Sequence, residues 1–151
     1  MRLVIATAGR WKKGPERDLF EHFAKRITYP LELREIEEKK NLKPAALKAR
    51  EAELLLAQVS AGAVIVALHE GGKTLSSTAF AAKLGNWRDQ ARDVAFLIGG
   101  ADGLDDAVIK RADWVMGLGT MTWPHLLVRG MLTEQIYRAQ CILAGHPYHR
   151  E

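Results

Sequence analysis

The last six residues, "HPYHRE", put His146, Tyr148, His149 and Arg150 into a stretch where many chains fray. Imidazoles carry protons or bind metals, a phenol ring stacks on a base, and a guanidinium forks onto phosphate or carboxylate. His146 and His149 have H-x-x-H spacing, but a metal site needs further ligands and only distant histidines and carboxylates remain. No metal is expected. A second group lies in "TMTWPHLLVR" (120–129), where His125 follows Pro124 at what reads as a helix start. Free backbone N–H groups there can bind a ligand, and His125 can carry a proton, hold phosphate, or simply face solvent. Glycines form a third group, Gly99-Gly100-x-x-Gly103 and Gly117-x-Gly119. They either let the backbone approach a ligand or serve as ordinary turn residues. Neither run matches G-x-G-x-x-G or the phosphate-binding G-x-x-x-x-G-K-[ST], which argues against a dinucleotide oxidoreductase.

The elements that must position these groups alternate along the chain. Apolar runs at 2–9, 63–68 and 93–100 read as buried strands, "LELREIE" (31–37) as a less regular one, and "WVMGLG" (114–119) as a last strand with its loop. Between them, 15–27 and 44–60 read as helices, each opened by a proline. Ser76 or Ser77 can cap a helix that carries Phe80, Leu84 and Trp87 on one face, and a short helix spans about 104–111. "HEGGK" (69–73) reads as a turn-rich loop. The segment 125–145 is a long helix with Gly145 as its stop. Strands that are apolar on both faces predict a parallel sheet flanked by helices, an α/β fold in one domain over 1–151. Ligands of such sheets bind at the carboxyl ends of the strands, which selects loops 68–73, 99–103 and 117–125.

The last helix is apolar on more than one side. Val128, Leu132, Ile136, Ala139 and Leu143 form one stripe, while Leu127, Met131, Tyr137 and Cys141 lie on others. The second side fits either deep burial or a partner subunit. Glu134 and Arg138, spaced i, i+4, read by default as a surface ion pair. Composition is that of a globular protein, with 48% apolar and 26% charged residues. No run of about 18 apolar residues predicts a membrane span. The start is too short in apolar residues for a secretory signal, and the lone Cys141 cannot form an internal disulfide; both fit the cytoplasm. The net charge of +4 is uneven: residues 1–50 hold 13 Lys/Arg against 7 Asp/Glu, and residues 51–151 hold 9 against 11. That asymmetry fits either a polyanion-facing first third or a solvated basic surface.

"LIGGADGL" (97–104), "MTWPHLLVR" (121–129), "EQIYRAQCI" (134–142) and the terminal "HPYHRE" together closely resemble one family over the whole chain. It is the SPOUT-class methyltransferases of bacteria that act on N3 of a pseudouridine in large-subunit ribosomal RNA. The resemblance implies a trefoil knot toward the C-terminus, a homodimer, and S-adenosylmethionine as cofactor. It carries cofactor contacts to Leu68, to Gly99 and Gly100, and to Leu118, Gly119, Thr120, Met121, Thr122 and Trp123. Two departures stand out: Trp123 where leucine is frequent, and "GGADGL" where the family often has "GGPEGL".

On that reading the protein aligns an activated methyl with a base nitrogen whose proton must leave. His125, Arg138, Tyr148, His149 and Arg150 are the candidates for that step, with Tyr148 stacking on or orienting the base. The tail would fold back and close the site of its own or a partner subunit. Lys39, Lys40, Lys43, Lys48 and Arg50 are the candidates for RNA phosphate contact. So small a surface favours an assembled ribosomal particle as substrate. The competing expectations are a related enzyme acting on transfer RNA and a non-catalytic ribosome-associated module.

Overall fold

The computed structural model describes residues 1–151. Five strands, β1 (Leu3–Ala8), β2 (Leu31–Ile36), β3 (Val64–Lys73), β4 (Val94–Ile98) and β5 (Trp114–Met116), form one sheet in the order β2-β1-β4-β3-β5. Every pairing is parallel. The helices are α1 (Pro15–Ala24), α2 (Pro44–Leu56), α3 (Ser77–Asp89), α4 (Asp106–Arg111) and α5 (His125–Ala144).

Side-chain alternation explains the layering. Along β4, Val94, Phe96 and Ile98 join a core with Phe20 of α1, Phe80, Leu84 and Trp87 of α3, and Leu132 and Ile136 of α5. Ala95 and Leu97 point the other way, into a core with Ala52 and Leu55 of α2 and Val108 of α4. A strand buried on both faces has no polar alternation, which is why the apolar runs were legible. One face is therefore covered by α1, α3 and α5, and the other by α2 and α4.

Local chemistry sets most boundaries. The Ser76 hydroxyl caps α3 by accepting from the Ala79 N–H, and Asp105 caps α4 through Ala107. Gly145 ends α5 in the left-handed conformation, φ 70°. Helices α1 and α2 stop short of the expected Ile27 and Ser60. After α1 the Arg26 and Ile27 N–H groups bond three residues back, to Phe23 and Ala24, and the segment after α2 turns likewise. Ile27 still packs against the core from that turn.

"HEGGK" is not a simple loop. β3 continues through it to Lys73 with a bulge, pairing Leu68 and then Lys73 against Met116. Gly72 permits this, because a Cβ there would lie 2.5 Å from the Met116 carbonyl carbon. The second apolar side of α5 is also partly covered within the chain. Tyr137 and Cys141 are buried against Phe23 of α1, whereas Leu127 and Met131 stay half-buried.

No helix is long and apolar enough to cross a membrane.

Candidate functional site

The carboxyl ends of β3, β4 and β5 open into a cavity of about 540 Å³. Leu68, Ile98 and Met116 form its floor, the turn Gly99–Leu104 one wall, and Leu118 with Thr122–His125 and Val128 the other. Gly99 is the tightest point. A Cβ on it would sit 2.5 Å from the Gly103 carbonyl carbon, so only glycine lets the turn close on itself. Two side-chain bonds fix the loop between β5 and α5. The Thr122 hydroxyl donates to Glu70 (3.0 Å), and the Trp123 indole N–H donates to the Leu118 carbonyl (3.1 Å).

The expected cofactor residues divide. Leu68, Gly99, Gly100, Leu118, Thr122 and Trp123 line this cavity. Gly119 and Thr120 line a second hollow, of about 750 Å³, on the other side of the same loop. Met121 is 71% exposed and lines neither. The cavity also takes in His69, Glu70, Asp102 and Lys48, which the sequence reading either passed over or placed elsewhere. The first three were findable, since the strand-end rule had already selected their loops.

His125 lines the cavity from the first turn of α5. Burial, and secondarily the charge of Arg129 one turn on, lower its proton affinity below the ordinary value. Arg129 itself is fully buried. Its guanidinium donates to the carbonyls of Ala8 and Gly9, both at 3.0 Å, lies over the Trp11 ring, and stands 3.6 Å from Glu35. It thus clamps the end of β1 to α5 beneath the site. Its sequence signal was its place as the last residue of the "MTWPHLLVR" motif, next to the apolar stripe of the helix.

The other chemistry-bearing residues gather elsewhere. Tyr148 donates its hydroxyl to Glu134 (2.9 Å), Arg138 pairs with the same carboxylate, and a guanidinium N–H of Arg138 lies 3.2 Å from His149 Nδ1. Tyr148 stands edge-on to Tyr137, and Arg138 lies over the Tyr148 ring. Glu134 is therefore not a plain surface ion-pair partner; it is the hub on which the tail is folded. Burial is the leading cause that raises the Tyr148 phenol pKa, followed by its bond to Glu134. Arg150 is exposed. None of Arg138, Tyr148 and His149 lines the 540 Å³ cavity; Glu134 borders the second hollow instead. Within one chain, His125 and the tail residues are not brought together.

The basic residues split as well. Lys39, Lys40 and Lys43 are exposed on the segment before α2. Arg50 is held by Glu38 (3.0 Å) and Glu53 (2.8 Å), so its charge is already answered. Lys48 turns inward to the cavity. No group of three His, Cys, Asp or Glu side chains is placed to hold a metal ion, and His146 only accepts from the Tyr148 N–H.

Comparison with known proteins gives a consistent family. The family model described as "Predicted SPOUT methyltransferase" matches residues 1–149. A protein of Rhodospirillum centenum named "Ribosomal RNA large subunit methyltransferase H" is 59% identical over 151 residues, covering 99% of each chain. One of the same name from Paramagnetospirillum magneticum is 56% identical over 151 residues, again covering 99% of each. Among solved structures, a probable methylase family protein from Haemophilus influenzae superposes with a TM-score of 0.60 at 10% identity, over 99% of this chain and 70% of that one. The SpoU methyltransferase AviRb from Streptomyces viridochromogenes, in complex with AdoMet, gives 0.51 at 12% identity, over 92% and 58%. At such identities the structural likeness speaks for the fold.

Proposed function

The chain belongs to the SPOUT methyltransferase family, and on that premise we propose that it transfers a methyl group from S-adenosylmethionine to N3 of a pseudouridine in large-subunit ribosomal RNA. The observation that carries this reading is the full-length identity of 59% to a ribosomal RNA large subunit methyltransferase. The cavity suits the cofactor in size, since small-molecule sites are typically about 300–1,000 Å³. It also suits it in lining: apolar Leu68, Ile98, Leu118 and Val128 beside the turn of Gly99, Gly100 and Gly103. The trefoil knot implied by the resemblance belongs to this proposal, with the loop between β5 and α5 as its ligand-holding part.

S-adenosylmethionine supplies, when bound, a methyl already activated on sulfur. What remains for the chain is alignment and the fate of the N3 proton. His125, at the cavity and disfavoured in its charged form, is suited to accept a proton near neutral pH. Arg138, with Tyr148 and His149 around Glu134, forms a hydrogen-bonding and aromatic cluster suited to hold and orient a base. Because these groups lie apart from the cavity of their own chain, the complete site is composed in a homodimer, with the tail cluster of one subunit meeting the cavity of the other. Lys39, Lys40 and Lys43 supply phosphate contacts, and the assembled ribosomal particle in the cytoplasm is the substrate.

The test is methyl transfer from labelled S-adenosylmethionine to unmodified ribosomes, separated subunits and free ribosomal RNA, with the product nucleoside identified by mass spectrometry. Label on a pseudouridine of large-subunit RNA in assembled particles is the expected result. Label confined to transfer RNA, or no label from protein that binds the cofactor, overturns it.

A further inference from the structure

Lys48 was grouped by sequence with the RNA-facing lysines, but its place in the fold is different. The helix α2 begins at the carboxyl edge of the sheet, because β2 ends there and the segment after Ile36 leads straight into Pro44. Its neighbour one turn on, Glu51, shows which way this face points. A Cβ built on Gly100 would lie 3.2 Å from Glu51 Oε2, so that face of α2 lies against the glycine turn. Lys48, three residues earlier on the same face, lines the cavity. It is half-buried and has no ion pair with any carboxylate of the chain, whereas Arg50 next to it has two.

The charge balance of the cavity gives this lysine a task. Its charged lining is acidic at Glu70 and Asp102, and Lys48 is the one Lys or Arg among the lining residues. Glu70 is occupied by the Thr122 hydroxyl. The cofactor carries two positive groups, the sulfonium and the α-ammonium, and one negative group, the carboxylate of its amino-acid end. Within a single chain, Lys48 is the only Lys or Arg on the lining against which that carboxylate can be held.

We propose that Lys48 is a cofactor-binding residue that recognises the amino-acid carboxylate of S-adenosylmethionine, not a contact to RNA phosphate. The inference rests on the S-adenosylmethionine reading above. It makes Lys48 a specificity determinant, separating the intact cofactor from adenosine thioethers that lack the amino-acid end.

Calorimetric titration of the full-length protein with two ligands tests it. S-adenosylhomocysteine retains the carboxylate, and methylthioadenosine lacks it. Lys48→Met should weaken S-adenosylhomocysteine about tenfold, the scale of one lost charge-assisted contact in a partly exposed site, and leave methylthioadenosine within about twofold. Lys48→Arg should recover most of the loss. Equal losses for both ligands, or no loss for S-adenosylhomocysteine, overturn the assignment. Weakened ribosome binding with unchanged titrations returns Lys48 to the RNA surface. Wild-type protein that binds neither ligand instead removes the cofactor reading itself.

Discussion

Arg129 is the residue on which the site floor most depends. It is fully buried, donates to two main-chain carbonyls, and lies over Trp11. Burial opposes its charge, and Glu35 only partly offsets this. Arg129→Met should therefore leave the carbonyls of Ala8 and Gly9 without donors and Glu35 without its cation. The expected cost is about 3 kcal/mol, read as a lower urea midpoint at unchanged slope. A loss under about 1 kcal/mol would show that the clamp is dispensable.

His125 yields a pH signature. Its folded proton affinity is depressed, so the unfolded chain takes up this proton first, at about pH 6.5. Stability from keeping His125 neutral is present above that pH and is lost as pH falls toward the lower folded value. His125→Gln should remove part of the melting-temperature loss between about pH 7 and 5. An identical acid profile in wild type and variant would contradict the burial assigned to this ring.

At the scale of elements, close helix approach holds α5 in place. Gly130 faces Leu19 of α1, where a Cβ would come within 2.8 Å of Leu19 Cδ2, and a Cβ on Gly85 of α3 would come within 2.9 Å of Leu143 Cδ2. Helix α5 lies against both partners at these glycines, and it carries His125 at one end and the tail at the other. Gly130→Leu should force α1 and α5 apart and cost about 1–3 kcal/mol by overpacking. Unchanged thermal stability would mean that Leu19 simply swings away. β3 follows a related logic: the bulge through Gly72 brings Glu70 to Thr122, so an irregular strand end fixes the loop that walls the cavity.

At the scale of the whole molecule, the separation of His125 from the tail cluster sets the expectation for assembly. A chain lacking residues 146–151 should lose methyl transfer while keeping its fold, because the tail adds Tyr148 to the small Phe23–Tyr137–Cys141 cluster but no residue to the two main cores of the sheet. A full-length Gly99→Ala chain should lose it too, since the new methyl would press on the Gly103 backbone in the cavity wall. Mixing the two inactive chains should restore activity, up to roughly half of the mixed dimers' sites, if each cavity is served by its partner's tail. A tail serving its own cavity predicts no recovery on mixing.

Much of this was legible in the chain itself. Strands buried on both faces wrote themselves as apolar runs, prolines and Gly145 marked helix ends, and the strand-end rule points to three loops. Family membership lay in motifs spread over the whole length, because a site built from several strand ends constrains several segments at once. The structure departs from the sequence reading where side-chain direction, not residue type, decides. Lys48 and Arg50 look alike in sequence, yet one faces the cavity and the other is bound by Glu38 and Glu53. Glu134 and Arg138 have the spacing of a surface pair, and only the return of Tyr148 turns them into a hub. "HEGGK" has a loop's composition, but pairing with Met116, distant in sequence, makes it strand. The sequence by itself determined the layers, the family and the segments that form the site, because burial and backbone preference act locally. Which charges face the cavity, which are already paired, and which of the candidate catalytic residues share a chain's cavity were decided only by the tertiary structure, because these depend on contacts between residues far apart along the chain.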